Sequence, residues 1–445
     1  MKYIANLGFV AVASALSNSK IENIPQKPLL ADACPSNSLL HNGECQPSSF
    51  DPNSGTTNAS FSSKSTQSLD EARRWAEKVV NFPWTFWPEC FSNENTTEPI
   101  CVFSDQKFAG GRGIFLVTSS DYAYEILKKP AFTQPEALER INHHGNPPFV
   151  QQEFPGKGRG LVANKTLHRG DQIFASTPLL ITNPEAYLLA EKERLRLAHR
   201  GVETLPEESK TLFWALLDHF KGDAVDDRIN TNAFEIYVNG VMQHAVLPEI
   251  AMLNHDCRPN AAYFWDEETL SHYVHATQTI HPGQEITITY INNEKSRSRR
   301  MDNLKTNWGF DCSCSACSAH PAMTAESDGR LQQMAELAKE LDDWSSDTEA
   351  TPETAEALVS MYEQERLFAS LGVPYKHAAE VYSSYGDKYN AIKYARLSVE
   401  YSALDKGFRD RDVKEMRAMA KDPEMSWSWK KRVGLKRFAG CGHVH

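Results

Sequence analysis

The sequence predicts an α+β fold: an irregular core of short strands, interrupted by a helical insertion and followed by a helical C-terminal part. Three observations carry that expectation. From Phe154 to Phe174, and again from Ala233 to Ile291, short apolar stretches are punctuated by glycine and other turn residues, the pattern of strands and tight turns. Between these two regions, Asn183 to Asp218 reads as helical, most clearly in the amphipathic LPEESKTLFWALLDHF (Leu205–Phe220). After residue 320 the readable signals are again those of helices.

The first residues, MKYIANLGFVAVASAL, combine Lys2, an apolar run and the A-x-A pattern Ala13-Ser14-Ala15. This is the expectation for a cleaved signal peptide over 1–15, since the run is too short to span a membrane. Residues 16–150 are expected to form an N-terminal extension. Asn18 to Gln67, rich in Ser, Asn, Pro and Gly, reads as linker, and Leu69 to Val80 as a helix. The aromatic FPWTFWPEC suits packing better than ligand binding. GIFLVT (Gly113–Thr118) reads as a strand and DYAYEILKK after it as a short helix. Cys34, Cys45, Cys90 and Cys101 fall in two pairs of equal spacing, as in a small disulfide framework, with the pairing left open. The sequons at Asn58, Asn95 and Asn164 carry little weight.

The core is expected over 151–320, its later strands being AFEIYV, AAYFW, HYVHAT and EITITYI. A helical domain follows over 321–425. Thr351-Pro352 is a good helix start, Leu358, Met361, Tyr362 and Phe368 recur at helical spacing, and Gly372 would cap the end. GDKYNAIKYARLSVEYSAL gives a further helix, and hairpins of this size resemble tetratricopeptide-like packing. The basic end, 426–445, reads as a flexible tail, and its Cys441-x-His443-x-His445 as part of that tail rather than a metal site.

With 445 residues, 41% of them hydrophobic, the chain can form one large or two ordinary domains. Its formal net charge of −11 argues against general nucleic-acid binding and leaves a basic peptide open as a partner. No segment besides the leader is apolar enough to approach a membrane span.

FDCSCSACS places Cys312, Cys314 and Cys317 as C-x-C-x-x-C. Two thiols in C-x-C are badly disposed for a disulfide with each other and well disposed to converge on one tetrahedral zinc. The alternative is a set of unpaired buried thiols. Three ligands leave one position open, and Cys257 in LNHDCRPN would close it, stapling a distant loop to the strand core.

GKGRGL (Gly156–Leu161), LNHDCRPN (Leu253–Asn260), GQEITITY (Gly283–Tyr290) and FDCSCSAC (Phe310–Cys317) follow one another in the order of a SET-domain lysine methyltransferase. The arrangement resembles the SMYD-type branch without its MYND finger, and the MYND-less SET proteins common in fungi. The resemblance covers about 155–318. It implies a β-clip core with a knot-like strand arrangement, a zinc-bound segment after the core, and S-adenosylmethionine as methyl donor. Lys157, Gly158 and Gly160 match the turn whose backbone approaches the donor, and glycine suits a close approach. Asn254 and His255 match the pair that holds the donor, Asn232 a further contact, and Phe310 the aromatic over the adenine. Tyr290 matches the catalytic tyrosine, Trp308 an aromatic of the lysine channel, and Cys257, Cys312, Cys314 and Cys317 the structural zinc ligands. Asp256 and Gln284 depart from the usual N-H-S-C and G-E-E.

The implied partner is a lysine-bearing protein or peptide, histone or non-histone. No direct nucleic-acid contact is implied, and the chain is expected to be a monomer. The competing reading is an inactive SET-shaped adaptor that binds partners through its C-terminal helices. The resemblance implies nucleus or cytoplasm, whereas the leader and paired cysteines point to the secretory route.

Overall fold

The computed structural model describes residues 83–142 and 145–433, together with the backbone of 38–41 and 44–47. The expected leader, the linker, the Leu69–Val80 helix, Cys34, the side chain of Cys45 and the last twelve residues lie outside the described residues. Strands β1 (Ser38–His41) and β2 (Glu44–Pro47) form an isolated antiparallel hairpin. The remaining strands in chain order are β3 (Glu89–Phe91), β4 (Ile100–Asp105), β5 (Ile114–Ser119), β6 (Phe149–Phe154), β7 (Gly158–Ala163), β8 (Gln172–Ser176), β9 (Leu180–Thr182), β10 (Ala233–Val238), β11 (Val241–Val246), β12 (Asn254–His255), β13 (Ala261–Asp266), β14 (Ser271–Ala276) and β15 (Glu285–Ile288). They make three sheets, ordered β10-β11-β9-β5-β4-β3, β12-β15-β7-β6 and β13-β14-β8. Expectation and structure agree on α+β content, and the four strands expected between 233 and 291 form as β10, β13, β14 and β15.

The region set apart by sequence as an extension shares its sheet with the core. β5 is buried along its whole length and lies parallel to β9, with Phe115 opposite Leu180 and Val117 opposite Thr182. A strand buried along its whole length needs cover on both faces. Helix α1 (Ser120–Leu127) follows β5, capped by the Ser119 side chain. Helix α2 (Glu191–Thr204) supplies part of the cover: a Cβ on its Gly201 would lie 2.1 Å from the Phe115 ring. Cys90 and Cys101 face each other across β3 and β4 and are joined by a disulfide, S–S 1.99 Å.

The helix expected over 205–220 is shorter. Helix α3 (Glu207–Trp214) stops at Trp214, because the next residues are held by another partner. Asp227, on α4 (Ala224–Asn232), accepts the backbone N–H groups of His219, Phe220 and Lys221, each at 2.9 Å, and folds 215–221 into a loop. Helix α5 (Arg297–Trp308), not foreseen in the sequence, ends on Gly309 at φ +70°. That left-handed terminus turns the chain into the cysteine-rich segment.

Beyond it come α6 (Pro321–Leu341), α7 (Pro352–Gln364), α8 (Gly372–Ser384), α9 (Lys388–Asp405) and α10 (Arg411–Lys421). Thr351 starts α7 as expected, exchanging hydrogen bonds with Thr354 in a capping box. Gly372 is not the end cap. The helix ends at Gln364 because Arg366 takes φ +57°, with Leu367 N–H bonded to the Tyr362 carbonyl and Arg366 N–H to the Glu363 carbonyl, a Schellman terminus. Gly372 instead opens α8, where a Cβ would lie 2.1 Å from Ser402 Oγ of α9. Residues 426–433, expected to open a flexible tail, are packed instead. Arg432 is 2% exposed, stacks 3.9 Å over Trp344 and donates to the carbonyls of Leu341 (3.1 Å) and Asp343 (2.8 Å). Those carbonyls lie at the C-terminus of α6, where intrahelical donors run out.

The helical part rests on the strand core. Gly407, just past α9, lets the backbone approach the Phe264 ring of β13, Arg409 pairs with Asp266 at 3.3 Å, and Arg169 pairs with Glu400 at 3.0 Å. No helix among the described residues is long and apolar enough to cross a membrane.

Two buried histidines make the core acid-sensitive. Burial lowers the pKa of His244 to about 4 and of His272 to about 3. Both rings are therefore neutral in the fold, while the unfolded chain takes up protons below about pH 6.5 that the native state refuses. Stability should rise with pH in this window, by up to about 3 kcal/mol per unit near pH 5. Urea midpoints at pH 7 and pH 5 test this. A clear drop at pH 5 is expected, and equal midpoints would contradict it.

Candidate functional site

The loop after α3, the β6–β7 turn, the β12 loop and the end of α5 enclose a cleft of about 160 Å³. Lys157, Gly158, Asn232, Asn254, Tyr290, Trp308 and Phe310, all singled out in the sequence, line it. What brings them together is the parallel pairing of β12 with β15, Asn254 opposite Thr287 and His255 opposite Ile288. Parallel neighbours need a long crossover, here the β13–β14 hairpin. Asn260 fixes the register, its side chain donating to the Glu285 carbonyl (2.8 Å) and accepting from Thr287 N–H (2.9 Å).

Tyr290 lies two residues past β15 and is half-buried. Its hydroxyl donates to the Leu253 carbonyl at 2.6 Å. Burial, with a smaller effect of the Glu285 charge, pushes its phenol well above the usual tyrosine range. Tyr290 therefore stays protonated, its proton spent on Leu253, and the residue lines the cleft. The Trp308 ring stands 5.9 Å away.

His255 faces away from the cleft. Its Nδ1 accepts the backbone N–H of Tyr290 at 3.0 Å, so the proton of the neutral ring is on Nε2, which points at Cys257 Sγ 3.3 Å away. Burial keeps the ring neutral by lowering its pKa to about 3. The imidazole thus ties the tyrosine backbone to the cysteine cluster, and only the backbone of His255 is left for a ligand.

Asn254 does point into the cleft. Its Nδ2 donates to Glu285 Oε1 (2.8 Å) and to the Arg159 carbonyl (3.2 Å), and Glu285 Oε2 pairs with Lys157 Nζ at 3.0 Å. Gly160 does not line the cleft, but it permits this network. A Cβ there would sit 2.7 Å from Asn254 Nδ2 and 2.9 Å from Glu285 Oε1. Gly158, at φ +74°, provides the turn before it. Asn232 is buried and anchors the 215–221 loop, donating to the Leu217 and Arg228 carbonyls at 2.8 Å each.

Cys257, Cys312, Cys314 and Cys317 converge, all buried, with their sulfurs within 4.8 Å of one another. Cys257 and Cys317 are 3.5 Å apart, compared with about 3.8 Å between sulfurs in a tetrahedral Zn–S₄ site. The chemistry of the surroundings also fits. Arg300 is 1% exposed with its guanidinium against Cys257 and Cys317. Four neutral thiols would have no use for a buried cation, whereas four thiolates around a divalent metal carry net negative charge that it offsets. The cluster is compatible with zinc.

Sequence reasoning missed several residues of the site. Glu285 does not line the cleft, but its carboxylate holds Asn254 and Lys157 there, and it was passed over as the second acid of a familiar pattern. Leu217 and His219 reach the cleft only because Asp227 breaks the helix, which no local signal announces. Asn307, beside Trp308, also lines it. Both residues line the cleft, and Asn307 Oδ1 and Trp308 Nε1, one acceptor and one donor, are buried with no hydrogen-bond partner among the described residues. Such orphans are expected where a polar ligand completes the bonding.

Cobalt substitution tests the cluster. The full chain should bind about one cobalt per molecule with the intense visible bands of a tetrahedral thiolate complex, and Cys257→Ser should weaken them. The pale spectrum of an octahedral site would contradict the four-sulfur assignment.

Comparison with known proteins agrees with this geometry. Residues 158–291 match the family model of the SET domain. Histone-lysine N-methyltransferase set5 of Schizosaccharomyces pombe is 31% identical over 187 residues, 41% of this chain and 54% of its own. N-lysine methyltransferase SMYD2 of Bos taurus is 34% identical over 92 residues, 20% of this chain and 21% of its own. The chain spans about half the length of the first of these relatives and about a fifth of the second. This chain carries a SET domain, homologous to those of the Set5 and SMYD2 methyltransferases.

Proposed function

We propose that the chain is an S-adenosylmethionine-dependent protein-lysine methyltransferase. The observation that carries this reading is the Tyr290 hydroxyl, bonded to the carbonyl of Leu253 at the edge of a cleft that Asn254, Trp308 and Phe310 also line. The donor would supply a methyl group activated on a sulfonium, so that its carbon–sulfur bond breaks as the lysine nitrogen's lone pair forms the new N–C bond. Most of the catalysis then lies in alignment.

Asn254, Lys157 and the backbone at Gly158 would bind the donor's polar end, and Phe310 would cover its aromatic base. Asn307 Oδ1 and Trp308 Nε1 would satisfy, and be satisfied by, its polar edges. Because Tyr290 holds its proton on Leu253, it is no general base. Its lone pairs can orient the methyl C–H groups and the incoming amine. The lysine must arrive neutral, which a dry channel walled by Trp308 and Tyr290 favours through desolvation. The four cysteines would hold a structural zinc, and α6–α10, in which successive helices pack on one another, would form tetratricopeptide-like pairs. The substrate would be a lysine in a protein, with the net charge of −11 favouring basic segments.

The test is transfer of labelled methyl from S-adenosylmethionine to lysine peptides by the full chain. Tyr290→Phe should lower the rate at least about a hundredfold while donor affinity holds. Gly160→Ala should reduce donor binding instead. Transfer by Tyr290→Phe at the wild-type rate would overturn the role of Tyr290, and a folded wild type that neither binds the donor nor transfers methyl would leave an adaptor.

A further inference from the structure

The last turn of α7 reaches into the core at a point no sequence motif marks. Glu365, the C-cap residue just past Gln364, is 5% exposed and accepts three hydrogen bonds: from Arg258 Nη2 and from Ser327 Oγ and Arg330 Nε, the latter two at 2.7 Å. Arg258 belongs to LNHDCRPN, one residue after Cys257 and four after Asn254. Its side chain is 5% exposed, and its Nη1 also donates to the Cys257 carbonyl at 2.8 Å. Asn293 Nδ2 donates to that same carbonyl at 3.3 Å. One turn earlier on α7, the Tyr362 hydroxyl donates to Glu294 Oε1 at 2.8 Å. The end of α7 thus grips both the loop that carries Asn254 and the segment that follows Tyr290.

A buried ion pair between elements over 100 residues apart in sequence gives uncertain net stability, because desolvation offsets the attraction. Its geometry is nevertheless fixed, since moving either partner strands a buried charge. We propose that Glu365 is a positioning residue for the donor cleft, holding the Leu253–Asn260 loop through Arg258 and so coupling the helical domain to donor affinity. This rests on the methyltransferase reading of the cleft. Glu365 touches no ligand; it sets where Asn254 and the Leu253 carbonyl stand. The position of Glu365 depends in turn on the Schellman terminus at Arg366, so the helical domain would be part of the site's framework.

Calorimetry of S-adenosylmethionine binding to the full chain tests it, with wild type, Glu365→Gln, Arg258→Met and the double variant. Either single change should weaken donor binding roughly tenfold, and the double variant should be no weaker than the weaker single, as expected for one coupled pair. Peptide KM and bound metal should stay near wild type, which general loosening would not allow. Should Glu365→Gln fail to fold, Ser327→Ala removes one bond to the same carboxylate and should cost about threefold in donor affinity. Unchanged donor affinity in a folded variant would overturn the proposal, as would parallel losses of donor, peptide and metal. Hydrogen exchange of the 254–260 amides separates this from failure of the function reading. If wild type binds no donor, faster exchange in Glu365→Gln still supports the coupling, and unchanged exchange sinks it.

Discussion

The cleft depends on one constraint: four cysteines from two distant segments must meet at a single buried centre. Cys257 brings with it the loop that carries Asn254, while Cys312, Cys314 and Cys317 bring Trp308 and Phe310 from the end of α5. His255 extends the same centre to the backbone of Tyr290, its one N–H spent on sulfur and its one lone pair on the tyrosine amide. Most residues that give the cleft its chemistry are thus within a few positions of a group held by the cluster. Zinc, as we assign it, would act at a distance from the reaction by fixing where the walls stand.

The second requirement is the parallel register of β12 and β15. It puts Asn254 beside the strand that ends at Tyr290, so that a carbonyl from one segment meets a hydroxyl from the other. The Glu285 carboxylate then links Asn254 to Lys157, and Gly160 leaves room for all three. Charge and hydrogen bonds here are directional, so the site tolerates little displacement. The bracing of the same loop by the buried Arg258–Glu365 pair from the far side is consistent with that demand.

Much of this was legible in the sequence. The strands from 233 to 291 follow turn residues and apolar runs, and the cysteine spacing announces a shared centre because C-x-C thiols suit a metal better than each other. What could not be read has physical causes. Asp227 ends α3 early by capturing three backbone amides across a loop, a tertiary interaction that overrides helical spacing. Arg366 ends α7 in a conformation glycine would have signalled, so Gly372 drew attention that belonged elsewhere; it is glycine for close helix packing. The Arg432 anchor hides in a run of basic residues that resembles a solvated tail. His255, expected beside the donor, instead turns its ring to Cys257 and the Tyr290 amide, since no motif says which way a ring points. Glu365 lies a hundred residues from its partner, beyond any local pattern.

The central claim is that the metal-closed cysteine cluster builds the donor cleft. Calorimetric titration of S-adenosylmethionine into the full chain, metal-loaded, stripped by chelation and reloaded with zinc, tests it most directly. The account predicts binding by the loaded protein, loss on stripping while the strand core remains folded, and recovery on reloading. Equal affinity with and without metal would contradict it, since the cleft would then stand without the centre that is held to shape it.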